Sequence, residues 1–376
     1  MNSPVPRRNH ILNPMPEQIE RSTPQRPAIH VSVVVPCRNE IRHIRAFLDA
    51  VFRQELRGIE MEVLIADGMS DDGTRQILAE FEKSFPALRI LNNPEIIVST
   101  GCNRAIREAR GEVIIRMDAH TVYAPDYVRS CVEVLEETAA ANVGGPARTR
   151  ADGYLAEAIA HAFHTPFAGG GAKYRDPRYE GPVASVPYGC FRRATLDLAG
   201  MYDEDLVCGQ DVELNLRIAS SGGKVWQSPR IVSWYTPRNN LPKLFRQYFQ
   251  YGFWKVGICR KHRRIISRRN LAPGACLLAG AALLLCSTAA RLSGSTWWQG
   301  LFLTGLLSLA GIYFISSFAT AFSVARWKGW RFLPILPVVF ACYQFSYALG
   351  SLLALLYRPV LSDLPNFVRK VVMDNH

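Results

Sequence analysis

Three short segments carry the side chains best suited to chemistry. Asp67, Asp71 and Asp72 bracket Gly68 and Gly73; a carboxylate there can accept a hydrogen bond from the imide N–H of a uracil ring or from a ribose hydroxyl. Met117-Asp118-Ala119-His120 follows an apolar run. Residues two apart at an extended strand end can reach one cation together; oxygen ligands suit Mg2+ or Mn2+ neutralising a diphosphate, and Mn2+ tolerates an imidazole. Gly209-Gln210-Asp211-Val212-Glu213 puts two acids where a loop enters a helix. A carboxylate there can take a proton from an acceptor hydroxyl. Taken alone, each segment has a plainer reading as a turn, a helix cap or an acid favoured by the helix dipole.

Other signals lead nowhere. His161 and His164 have helical ligand spacing, but no nearby Glu or Cys completes a site. The glycine-rich stretches fit neither G-x-G-x-x-G nor the P-loop pattern, which counts against a nicotinamide dehydrogenase and a P-loop nucleotidase. The nine cysteines are scattered without a C-x-x-C pair, so neither a disulfide framework nor a zinc site is expected.

The elements that must position the three segments alternate. Val31–Val35 reads as a strand buried on both faces, Glu40–Gln54 as a helix, Met61–Ala66 as a strand and Thr74–Phe85 as a helix. Leu88–Asn92, Ser99–Ala109 and Glu112–Met117 continue the pattern. Alternation with short loops predicts an open, mostly parallel sheet flanked by helices, in which ligands bind beyond the carboxyl ends of the strands. Arg38, Asn39 and Glu40, Asp67 to Asp72, and Asp118 to His120 all fall at such ends.

Beyond about Pro237 the character changes. Asn239–Lys261 predicts an amphipathic, aromatic and basic helix, suited equally to a membrane interface and to packing on the domain. Arg260, Lys261, Arg263, Arg264, Arg268 and Arg269 then precede three charge-free stretches, Leu271–Ala290, Trp297–Ala325 and Phe332–Tyr357. Each is as long as the ~20 residues a helix needs to cross the hydrocarbon core. Arg326, Lys328 and Arg331 place the second connection on the cytoplasmic side. The side of the final tail stays open, because Arg358, Arg369 and Lys370 oppose the outside location that three spans would give it. The formal charge of +12 is thus concentrated beside membrane sequence, which argues for lipid and anionic substrate as partners and against nucleic acid.

In order, the pieces resemble the family 2 glycosyltransferases of the GT-A fold. The resemblance rests on Val31-Ser32-Val33-Val34-Val35-Pro36-Cys37-Arg38-Asn39-Glu40, Asp67 through Thr74, Gly101 through Ile106, Asp118-Ala119-His120 at the D-x-D position, and Gln210-Asp211 where the family has Glu-Asp. Gly170 through Arg175 and Val186 through Arg193 are similar to the succinoglycan-type exopolysaccharide glucosyltransferases. The resemblance implies a Rossmann-like α/β GT-A domain over 29–237; the polar, Pro-rich and basic residues before it read as a disordered leader over 1–28. An amphipathic, basic interfacial segment would follow over 238–270, three transmembrane helices over 271–357 and a tail over 358–376.

It further implies an inverting enzyme of the inner membrane, its catalytic domain cytoplasmic, moving a hexose from a UDP-sugar, glucose above all, to a lipid-linked or polysaccharide acceptor. Pro36, Arg38, Glu40 and Asp67 would hold the nucleoside, and Arg104 and Lys255 the diphosphate. Asp118 would reach the ribose or diphosphate and share a divalent cation with His120, while Asp211 would be the base. Two departures stand out: His120 replaces a carboxylate, and the Q-x-x-R-W sequence of processive synthases is absent. The alternatives are a processive synthase and a catalytically silent scaffold that binds nucleotide sugar.

Overall fold

The computed structural model describes residues 29–265 and 268–357; the expected leader and tail lie outside the described residues. The chain begins with β1 (Ile29–Cys37), α1 (Ile44–Phe52), β2 (Ile59–Asp67), α2 (Thr74–Ser84), β3 (Leu88–Asn92), α3 (Val98–Glu108) and β4 (Val113–Arg116). There follow β5 (Val122–Tyr123), α4 (Tyr127–Thr138), β6 (Asn142–Gly144), β7 (Arg148–Thr149), α5 (Tyr154–Phe163), α6 (Pro166–Gly169), β8 (Gly181–Pro182) and β9 (Cys190–Arg192). The domain continues with α7 (Arg193–Ala199), α8 (Gln210–Ser220), β10 (Val225–Gln227) and β11 (Ser233–Tyr235). The long helices α9 (Leu241–Lys261), α10 (Ala272–Leu292), α11 (Thr296–Lys328) and α12 (Leu336–Leu356) complete it.

The main sheet has the order β3-β2-β1-β4-β9-β6-β10-β8. Its first four strands are parallel, as the alternation requires; β9 runs antiparallel to both neighbours. β1 is buried on both faces because Val31, Val33 and Val35 meet α1, α2 and α4 while Val34 meets α3. β1 pairs with β2 on one side and β4 on the other. The connections leaving β1 and β4 therefore diverge, and a crevice opens at their carboxyl ends. A small sheet, β5-β11-β7, closes one wall of that crevice.

The expected helix over Glu40–Gln54 begins only at Ile44. The backbone N–H groups of Asn39, Glu40 and Ile41 are taken instead by Ser70 Oγ (2.8 Å), Thr74 Oγ1 (2.9 Å) and Asp72 Oδ2 (3.1 Å). The loop after β2 thus acts as a scaffold for the loop after β1.

The helix over 239–261 forms as α9. It packs into the protein, with Phe253 and Trp254 fully buried. α10, α11 and α12 are each long and apolar enough to cross a membrane. The turn after α11 returns to the domain, where Arg331 pairs with Glu157 (2.6 Å) and Tyr154 donates to the Arg331 carbonyl (2.7 Å).

Candidate active site

One cleft of about 3160 Å3 takes in Arg38, Glu40, Arg116, Asp118, His120, Asp211 and Lys255. It continues to the apolar side chains of α10 and α11, among them Leu277, Leu284, Leu306 and Leu309. At its centre lies Arg116, the last residue of β4, with only 6% of its side chain exposed. Its guanidinium donates to Asp118 Oδ1 at 3.2 Å and forms an ion pair with Asp211. Burial opposes its charge, yet the two carboxylates outweigh that and its pKa rises. One fixed cation therefore links the strand end of β4 to the first turn of α8. Nothing at the Arg116 position marked this role in the sequence, because its two partners are 2 and 95 residues away.

Asp211 is brought to the cleft by Gly209, whose φ of +80° turns the chain into α8. Burial raises the Asp211 pKa; Arg116 pulls it back and Asp118 pushes it up, leaving it at about 6. That suits a general base near neutral pH. Glu213, two residues on, has no such freedom. It is fully buried and clamped by Arg217, Lys261 and His262, which overcome the burial penalty and lower its pKa.

The His120 ring is oriented by Glu40, whose carboxylate lies 2.8 Å from Nδ1. Burial disfavours the imidazolium, but Glu40 and Asp118 prevail and its pKa is raised. Nε2 has no partner among the described residues. A carboxylate on one ring nitrogen with the other left open is the arrangement that metal-bound histidines adopt.

No group of three or more His, Cys, Asp or Glu able to hold a metal occurs among the described residues. A magnesium-like ion needs only one or two protein ligands when substrate phosphates complete its shell, so Asp118 with His120 fits a divalent cation bound together with a diphosphate. Arg38 adds a buried Nε without a hydrogen-bond partner among the described residues. Lys255 faces the cleft without a carboxylate partner among them, its pKa lowered by burial.

Three expected ligands sit elsewhere. Asp67 is wholly buried, accepts from the Ser70 hydroxyl at 2.5 Å and pairs with Arg75 at 3.3 Å; it holds the turn rather than facing the cleft. Pro36 lies within β1, in register with Ala66, and does not line the cleft. Arg104 also misses the cleft, because the outer face of α3 carries it to Glu95 at 3.2 Å. Glu40 reaches the cleft but as the partner of His120. His161 packs edge-on against Phe332, and His164 bonds Thr149 and the Arg175 carbonyl, so neither is a ligand.

Residues 32–197 match the family model for glycosyl transferase family 2. The chain is 33% identical over 243 residues to the succinoglycan biosynthesis protein ExoA of Rhizobium meliloti, covering 64% of this chain and 73% of that one. It belongs to glycosyl transferase family 2.

This glycosyltransferase is also 29% identical, over 61% of its own length and 74% of the relative's, to a Methanococcus voltae dolichyl N-acetyl-alpha-D-glucosaminyl phosphate 3-beta-D-2,3-diacetamido-2,3-dideoxy-beta-D-glucuronosyltransferase. Its fold is shared with a Pyrobaculum calidifontis mannosyltransferase solved in complex with GDP-Man and Mn2+, at a TM-score of 0.56 and 22% identity over 86% of each chain. The expected GT-A architecture is thereby established for the catalytic domain.

Proposed function

We propose that this glycosyltransferase transfers a single hexose, with inversion, from a nucleoside-diphosphate sugar to a lipid-linked acceptor. It would do so at the cytoplasmic face of the inner membrane, in synthesis of a surface polysaccharide. The observation that carries this reading is the joining of Asp118 and Asp211 through Arg116 in a cleft that runs on to apolar helices. UDP-glucose is the donor that the likeness to the succinoglycan group favours, and the relation to ExoA agrees with a role in exopolysaccharide synthesis.

Asp211 takes the proton of the acceptor hydroxyl as its oxygen attacks the anomeric carbon. The new glycosidic bond forms on the face opposite the nucleoside diphosphate, which departs with the electron pair of the broken C–O bond. The proton then passes from Asp211 to solvent. Arg116 keeps both carboxylates aligned and limits the repulsion between Asp211 and the diphosphate. Lys255 and the Arg38 guanidinium supply positive charge along the leaving group's path. A divalent cation, Mg2+ or Mn2+, when held by Asp118 and His120, neutralises charge on the departing diphosphate.

The test is Asp211→Asn in the detergent-solubilised full chain. Transfer is expected to fall at least 1000-fold, roughly the scale of losing a general base and its geometry, while donor binding by calorimetry is unchanged. Normal turnover by the variant would overturn the mechanism. A screen of nucleotide sugars with each cation identifies the donor.

A further inference from the structure

The third apolar helix is held unlike the other two. α12 runs parallel to α9 along its whole length. Near one end, Cys342 Sγ lies 3.6 Å from the Leu241 carbonyl; at the other, Arg260 donates to the carbonyls of Ala354 (2.6 Å), Leu355 (3.0 Å) and Tyr357 (3.2 Å). Between these points the two backbones touch. A Cβ added at Gly350 would strike the Phe249 carbonyl, and one at Gly252 the Tyr347 carbonyl. α12 is also tied to the catalytic domain, where Tyr343 donates to the Ile159 carbonyl at 3.1 Å and Gln344 to the Phe167 carbonyl at 2.7 Å. In consequence 39% of its most apolar stretch is buried within the protein, against 11% for α10 and 6% for α11.

α9 cannot enter hydrocarbon. Lys243, Arg246, Lys255, Arg260 and Lys261 are distributed from its first turn to its last. Charges at the bilayer centre are strongly disfavoured. Lys255 faces the active-site cleft, and Lys261 is fixed to Asp203 (2.6 Å) and Glu213 (2.7 Å) of the catalytic domain. A helix joined to α9 end to end shares its depth.

We infer that α12 does not cross the membrane. It rests in the interface of the leaflet that α10 and α11 enter, beside α9, and the chain crosses twice. The outward side of α12 fits that partner. Leu349, Leu355 and Leu356 are exposed apolar side chains toward its far end, whereas Val338 and Phe345 line the cleft and Phe345 meets Tyr313 of α11. The buried residues Tyr343 and Gly350 face the catalytic domain and α9. Exposed leucines of this kind bury into the acyl boundary of a leaflet. The basic residues of the following sequence, Arg358, Arg369 and Lys370, agree with a location on the same side as the catalytic domain.

The experiment places one epitope before Met1 and a different one after His376 of the full-length chain. Membrane vesicles of both orientations are then treated with protease, without detergent. Two crossings put both epitopes on one side, so both are cleaved in one vesicle population and both survive in the other. Three crossings leave one epitope cut and the other protected in each population, and that result overturns the inference. Sugar transfer is assayed on the same inside-out vesicles. Same-side epitopes without transfer would uphold the topology and count against the functional reading alone.

Discussion

Arg116 and Glu40 hold the side chains to which the proposed chemistry is assigned, and each makes a measurable claim. Asp211, held at about 6, is a base only when ionised. It is ionised above that pH and protonated below it, so kcat/KM should fall tenfold per unit as pH drops below 6. Because its raised pKa lets protons compete with a cation for Nε2, His120 adds a second acid limb. Raising Mn2+ should relieve the His120 limb and leave the Asp211 limb in place; a profile flat down to pH 4.5 would exclude Asp211 as the base. Glu40→Gln removes the carboxylate that orients His120. The concentration of Mn2+ giving half-maximal activity should rise about 10–100-fold, as outer partners of metal ligands typically do, with donor affinity in excess metal little changed. Arg116→Met leaves two carboxylates facing each other without their cation. It should cost about 3–5 kcal/mol of stability, seen as a lowered Tm, and shift the Asp211 limb to higher pH.

At the scale of elements, the seam between α9 and α12 is the least tolerant contact. Gly252 and Gly350 sit where the two backbones meet, so any side chain there must push the helices apart. Gly350→Leu should destabilise the protein by about 1–3 kcal/mol or more, the scale of overpacking a close contact. It should also weaken activity, because Lys255, one turn from Gly252 on α9, lines the cleft. Thermal melting in detergent measures the first effect and steady-state transfer the second. Gly300→Leu, at a position with open space around it, is the control. Membrane association should survive in both variants, since α10 and α11 are not part of the seam.

The whole molecule carries one cleft from Asp118 and Asp211 on to apolar helices. Leu244 and Tyr248 of α9 share a core with Leu336, Val339, Phe340 and Tyr343 of α12, and Ala354 joins Phe253, Trp254 and Ile258. A chain ending at residue 265 would expose that surface to water. It should aggregate or elute from size exclusion as large assemblies; a soluble, monomeric product would show that the catalytic domain needs no cover.

The sequence alone determined the alternation of strands and helices from β1 to β4, because hydrophobic periodicity and loop punctuation are local properties. It equally determined the polar tips of β1 and β4, and the apolar character of the helices near the end of the described residues. Asp118, His120 and Asp211 were legible as candidates for the same reason, each standing at the end of a recognisable element, and the structure brings them to one cleft. Only the tertiary structure decided that Asp67 is a buried strut, that Arg104 turns to Glu95, and that Arg116 joins two acids far apart in the chain. The packing of α12 against α9 was also decided there. Composition registers that a helix is apolar, but whether protein or lipid takes up its surface depends on α9, a neighbour some ninety residues earlier whose approach at Gly252 and Gly350 no local pattern records.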